Sequence, residues 1–230
     1  MDVELLAPGI AVYRDVFKKD LNLIDRLENT IGSQKSLRYK WNQASTGYSN
    51  TDLSYRDCVD FKIKVNDDGS ITTNNENKQS NMFDETDRAL AQIWKDSKDV
   101  QLDPVNHYSS GFNIAPLKYW ESFNYVRYGE NQHFKVHSDH GYSYTCVLSS
   151  VGYLNDDYEG GELFFDKFNL KIKPRAGDLY LFPSAFIYSH AAMPVTSGLK
   201  YSIVTMLDYL ETAHTPEYFK LEEKYYEGLL

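Results

Sequence analysis

Hydrophobic and polar positions fall into two textures along the chain. From about residue 117 onward, short runs rich in β-branched and aromatic residues alternate with turn residues. The runs are Ser122–Tyr128, Phe134–Asp139, Tyr144–Leu154, Glu162–Phe165, Leu170–Lys173, Leu179–Phe182, His190–Met193 and Lys200–Leu207. Gly129, Gly141, Gly160-Gly161, Pro174 to Gly177, Pro183 and Ser197-Gly198 separate them. Short strands at this spacing predict an antiparallel sandwich or barrel rather than a parallel α/β sheet. The earlier part reads as helices and loops. Leu23, Ile24, Leu27 and Ile31 stand at helical spacing after Asp20, a candidate cap, and Gly32 stops the pattern. A second helix is predicted to start near Asp84 or Thr86, with Leu90, Ile93 and Trp94 on one face. A closing helix is expected from about Thr215 to Tyr226, with Pro216 at its first position.

Between the first two helices the chain is polar. Asn66–Ser80 predicts an exposed hairpin tip or mobile loop, and residues 40–80 are the expected lid over a substrate. The Asp-Asp-Gly within it is a turn signal, because the acid that closes a calcium loop is absent.

Composition narrows the function classes. With 24 Lys+Arg against 33 Asp+Glu the net charge is −9, which argues against a nucleic-acid or anionic-membrane surface. No apolar run approaches the roughly 20 residues that cross a bilayer, and the opening MDVELLAPGIAVY lacks the basic start of a signal peptide. Cys58 and Cys146 stand alone in unlike surroundings, so neither a disulfide framework nor a zinc site is expected. The expectation is a cytoplasmic protein, monomer or weak homodimer, with no nucleic-acid or membrane partner.

Candidate chemistry centres on His137-Ser138-Asp139. Residues two apart in a strand share a face, so an imidazole and a carboxylate stand side by side as two corners of a metal site. His-x-Asp alone is weak evidence, and a third ligand must come from elsewhere. His190 is the candidate, and Lys200 raises its standing. A hairpin centred near Ser197 would put His190 and Lys200 on one face about 13 Å apart. A lysine stem spans about half of that, and the remainder suits a five-carbon dicarboxylate held at both ends. Two histidines and a carboxylate leave open positions on a metal, the arrangement suited to non-haem Fe(II) and oxygen.

The residues also carry a family resemblance. HSDH (137–140), YLN with YEGGELFF (153–165), KPRAGDLYLFP (173–183), and His190 followed ten positions later by Lys200 in SGLKYS resemble the prolyl 4-hydroxylase branch of the 2-oxoglutarate/Fe(II)-dependent dioxygenases. The pattern covers about residues 120–208. The opening LLAPGIAVYRDVF is similar more loosely. The resemblance implies a mainly β (α+β) fold, a double-stranded β-helix or jelly roll with N-terminal helices packed on one face. One domain is expected over 1–230: a helical and loop part at 1–116, the jelly-roll core at 117–210 and the terminal helix at 215–228. His137, Asp139 and His190 resemble the iron ligands, and Lys200 the residue that pairs with the distal carboxylate of 2-oxoglutarate. Tyr128, nine residues before His137, matches the tyrosine that helps hold that carboxylate. Ser202 is a candidate hydroxyl donor beside Lys200, and Tyr153 a weaker cosubstrate contact. His133 and His140 match no family position, and Cys146 reads as an inert core thiol. Implied cofactors are Fe(II), 2-oxoglutarate, O2 and ascorbate. The implied activity is hydroxylation, of a peptidyl proline by the branch resemblance; a free amino acid or small metabolite stays open. The rival readings are a non-catalytic jelly-roll binding module and a cupin-like metalloenzyme, neither of which needs Lys200.

Overall fold

The computed structural model describes residues 1–32, 38–46, 51–75, 84–141 and 145–214. In chain order the strands begin with β1 (Val3–Ala7), β2 (Ile10–Tyr13), β3 (Asn42–Gln43), β4 (Arg56–Asp57), β5 (Val59–Val65) and β6 (Ile71–Thr73). They continue with β7 (Tyr119–Trp120), β8 (Phe123–Tyr128), β9 (His133–His137), β10 (Leu148–Tyr153), β11 (Glu159–Gly160) and β12 (Leu163–Phe165). The last are β13 (Leu170–Ile172), β14 (Leu179–Pro183), β15 (His190–Ala192), β16 (Val195–Ser197) and β17 (Lys200–Asp208). Two helices, α1 (Leu23–Leu27) and α2 (Glu85–Gly111), lie among them.

A ten-stranded major sheet runs in the order β1-β2-β14-β10-β17-β8-β5-β3, with β6 on β5 and β7 on β17. A five-stranded minor sheet runs β13-β12-β15-β9-β4, and β11 pairs with β16. All these ladders are antiparallel. This is the jelly roll that the sequence led us to expect.

Strand alternation divides the major sheet into two faces. Phe61, Ile63, Phe123, Tyr125, Leu148, Leu179, Leu181 and Ile203 point outward and pack with Leu90, Ile93, Val105 and Tyr108 of α2. Burying one such aliphatic or aromatic side chain contributes about 1.5–3 kcal/mol. The inner face meets the minor sheet: Val12, Val151, Tyr180 and Phe182 pack against Leu163 and Phe165. Helix α2 starts where its sequence signals it. Asp84 accepts from the Asp87 amide and Asp87 from the Asp84 amide, each at 3.0 Å. This reciprocal cap satisfies donors that the first turn leaves unpaired.

The structure corrects several expectations. The stretch before residue 117 holds, besides α1 and α2, six strands β1 to β6 where loops were expected, and five of the six extend the major sheet. Residues 56–73 are therefore largely sheet rather than a lid. Asn66–Ser70 is the exposed turn joining β5 to β6, Ile71–Thr73 form β6, and the end of the predicted loop, 76–80, lies outside the described residues. Asn22, with φ of 46°, occupies the position before α1 in place of Asp20, and α1 passes into a π turn at Glu28–Gly32. The predicted terminal helix at 215–228 also lies outside the described residues. All eight predicted core runs contain a strand, although the start of one, Tyr144, is not described.

Candidate active site

Strands β9 and β15 pair so that His137 and His190 stand directly opposite. Asp139 lies in the bend just after β9, not in the strand as the His-x-Asp spacing predicts. The bend still returns its carboxylate to the imidazoles. His137 Nε2 is 3.6 Å from Asp139 Oδ1, and His190 Nε2 is 3.9 Å from Asp139 Oδ2. One donor atom from each residue lies within 4.8 Å of the others, the one such trio among the described residues.

Local contacts aim these atoms. His137 Nδ1 donates to the Lys135 carbonyl at 2.8 Å, and His190 Nδ1 to the Tyr188 carbonyl at 3.2 Å. With the protons held at Nδ1, both Nε2 lone pairs face the centre. Burial, then the neighbouring His190, pushes the His137 pKa down to about 4, so its imidazole is neutral and ready to ligate. Phe134 stacks on His137 at 3.6 Å between ring centres, and Phe182 packs edge-on to His190 at 4.8 Å. Ser149 Oγ donates to Asp139 Oδ2 at 2.6 Å and shares a 2.8 Å hydrogen bond with Ser184. Two imidazoles and one hydrogen-bonded carboxylate are the donor set that suits Fe(II) with open positions.

Lys200 opens β17 directly opposite Tyr128 on β8. Its side chain is 1% exposed. The ammonium donates to the Gly161 carbonyl at 2.8 Å and lies 4.8 Å from the Tyr128 ring centre and 5.3 Å from that of Tyr153. No carboxylate pairs with it among the described residues, and burial pushes its pKa down to about 7. Gly161 makes room for the lysine: with φ of 63°, a Cβ there would stand 2.9 Å from the Tyr158 ring and 3.1 Å from Lys200 Cδ. Burial also raises the Tyr128 and Tyr153 hydroxyl pKa values well above their usual range. Ser202 is buried two residues beyond Lys200, opposite Val126 and Tyr153.

The hairpin argument for Lys200 and His190 fails. β16 pairs with β11 rather than with β17, and the two residues belong to different sheets that face each other. Their proximity arises across the sandwich. Ser149, which touches Asp139, and Tyr153, which flanks Lys200, are four residues apart on one face of β10. That is about 13 Å of strand. The structure thus gathers His137, Asp139, His190, Lys200, Tyr128 and Ser202 around one interior. His133 is apart, its ring meeting the Asn131 and Ser54 carbonyls. His140 turns to the backbone of Cys146. Sequence reasoning missed Ser149, Ser184 and Arg56. The Arg56 guanidinium lies 4.8 Å over the Phe134 ring and donates to the Ser45 carbonyl at 2.9 Å and to Asp60 at 3.2 Å.

Residues 123–207 match the family model of the 2OG-Fe(II) oxygenase superfamily. This segment is similar to the core of that superfamily. It spans the triad, Lys200 and Tyr128. A protein of Acanthamoeba polyphaga mimivirus, named as a candidate prolyl 4-hydroxylase, is 32% identical over 139 residues. The match covers 51% of this chain and 57% of that protein, so the chain spans little more than half the length of that relative. Among solved structures, a prolyl hydroxylase from Trichoplax adhaerens, in complex with a hypoxia inducible factor peptide fragment, superposes with a TM-score of 0.64 at 14% identity. It covers 87% of this chain and 84% of its own. A Pseudomonas putida prolyl-4-hydroxylase gives 0.60 at 18% identity, covering 87% and 92%. At these identities the likeness is one of fold, and the geometry of the triad and Lys200 carries the chemical argument.

Proposed function

We propose that this chain is a 2-oxoglutarate- and Fe(II)-dependent hydroxylase of the prolyl 4-hydroxylase type, acting on a peptidyl proline. The observation that carries the reading is the buried, unpaired Lys200 ammonium in the interior that holds the triad. A buried cation is costly unless an anion meets it, and the distal carboxylate of 2-oxoglutarate is that anion. His137, Asp139 and His190 would hold Fe(II), while Tyr128 and Ser202 would add hydroxyls beside Lys200. When bound, iron and cosubstrate supply oxygen activation, with 2-oxoglutarate consumed to succinate and CO2 and a hydroxyl delivered to a C–H bond. The chain's own residues orient the ligands, pair the cosubstrate and exclude water. The peptide-bound Trichoplax relative and the mimivirus relative support a peptidyl proline as substrate. A reducing cytoplasmic setting belongs to the same proposal, supported by two buried free thiols, Cys58 and Cys146.

The test is succinate production with Fe(II), 2-oxoglutarate and ascorbate, together with mass spectrometry of proline-containing peptides for the gain of one oxygen. His137→Ala, Asp139→Ala and His190→Ala are each expected to abolish both signals and to weaken Mn(II) binding measured on the protein alone. Full succinate production by all three variants would remove the assignment.

A further inference from the structure

The inner face of the major sheet carries a second hollow, displaced from the triad. It encloses about 360 Å³ and is lined by Lys40, Asn42, Ser45, Asp60, Lys62 and Asn74. The register explains the grouping. Asn42 lies opposite Asp60 on β5, Lys62 lies opposite Asn124 on β8, and the Lys62 backbone amide donates to Asn74 Oδ1 at 2.9 Å. These positions continue the face that bears Tyr128 and Lys200, but here the side chains are polar.

The charges in this hollow do not cancel. Asp60 is 2% exposed and fully engaged, accepting from Arg56 at 3.2 Å, Asn74 at 2.9 Å and Asn124 at 3.3 Å. Its charge is met by Arg56. Lys40 and Lys62 have no carboxylate partner among the described residues. Among the described residues, Asn42 Nδ2 is a buried donor without a hydrogen-bond partner. Two free ammoniums and an unused amide donor, on a chain of net charge −9, make a local site for an anion.

We propose that this shelf binds an acidic side chain of the polypeptide substrate, an aspartate or glutamate near the hydroxylated residue. The inference rests on the hydroxylase reading of the triad. Arg56 links the two places: it touches Asp60 on the shelf side and covers Phe134, which stacks on His137. One guanidinium and one stacked ring correspond to about three residues of extended chain at roughly 3.3 Å each. A peptide leaving the triad over Phe134 therefore brings a side chain about three residues away onto the shelf. Lys40 and Lys62 would meet its carboxylate, and Asn42 Nδ2 would donate to it.

The experiment uses labelled peptides with one proline and a single Glu walked outward on either side, each paired with a Gln counterpart. Anisotropy on protein loaded with Mn(II) and 2-oxoglutarate reads binding, and mass spectrometry with Fe(II) reads hydroxylation. At one or two placings, Glu is expected to bind about tenfold tighter than Gln, and the difference shrinks at high salt. The double variant Lys40→Gln/Lys62→Gln loses the preference, Lys40→Arg/Lys62→Arg keeps it, and Lys40→Glu/Lys62→Glu turns it toward Lys-bearing peptides. Equal binding of Glu and Gln peptides at every placing, or a preference that survives in the Gln variant, would overturn the shelf. Absence of hydroxylation with the binding preference intact counts against the hydroxylase reading and in favour of the shelf as an acidic-peptide site.

Discussion

Lys200 concentrates the energetics of the site in one side chain. Its ammonium is enclosed by Tyr128 and Tyr153 and held by a single carbonyl, that of Gly161. Removing it would leave a bound dicarboxylate unpaired in a buried place, at a cost on the order of 3–5 kcal/mol. Lys200→Ala is therefore expected to weaken 2-oxoglutarate by a few hundred- to few thousand-fold, with Mn(II) affinity nearly unchanged. Titration of the cosubstrate at saturating Mn(II) checks this, and equal affinity in wild type and variant would count against the pairing. The pH dependence follows from burial. Lys200 titrates at about 7 in the folded, ligand-free chain but near 10.4 when unfolded. Between those values the unfolded chain holds the extra proton, so this group's penalty on stability fades as pH rises from about 7 toward 10. A bound carboxylate restores the ammonium. At about pH 8.5, 2-oxoglutarate binding should take up a proton, with affinity falling as pH climbs above 7. Calorimetry in buffers of different ionisation heat measures the uptake. At this scale the triad and Lys200 were legible through residue type, order and resemblance. Ser149 and Ser184 were not, because only the pairing of β10 with β14 brings the two serines together beneath Asp139.

The elements explain which parts of the sequence spoke clearly. The core strands carry apolar residues on both faces, since one meets α2 and the other the minor sheet. β3, β5 and β6 carry Phe61 and Ile63 outward but Asn42, Asp60 and Lys62 inward. There a polar inner face stands where a sandwich usually buries apolar side chains, so the segment read as loop. The long-range pairing of β3 with β5 and of β5 with β8 has no local signature either. Two predictions belong to elements. In β10, a methyl added at Gly152 would press on the Phe17 ring and lie 2.7 Å from Ile203 Cγ2. Gly152→Ala is expected to lower unfolding stability by about 1–3 kcal/mol through overpacking. Asp84→Ala removes one half of the cap on α2 and should cost about 1 kcal/mol. Urea unfolding reads both. An unchanged midpoint in Gly152→Ala would mean that the sheet yields locally.

For the whole molecule, ligand and fold are linked through mass action. Mn(II) and 2-oxoglutarate bind the folded chain, so each at one hundred times its dissociation constant should add about 2.7 kcal/mol. For a chain of this size that is roughly 5–10 °C in Tm. Thermal unfolding should show the metal increment in Lys200→Ala without the cosubstrate increment. If both survive, cosubstrate binding does not depend on that ammonium. No helix among the described residues is long and apolar enough to cross a membrane. The division of labour between the two sheet faces explains why one long helix suffices for the outer side, while the inner side is left to chemistry. The turn between β5 and β6 leads to a practical end. Both native thiols are buried, at 0% and 4% exposure for Cys58 and Cys146, whereas Asp67 stands in the open at the hairpin tip. A dye attached through Asp67→Cys would thus label one place, a few residues of strand from Lys62, and its fluorescence would register a peptide's arrival in real time without occupying the surface on which it lands.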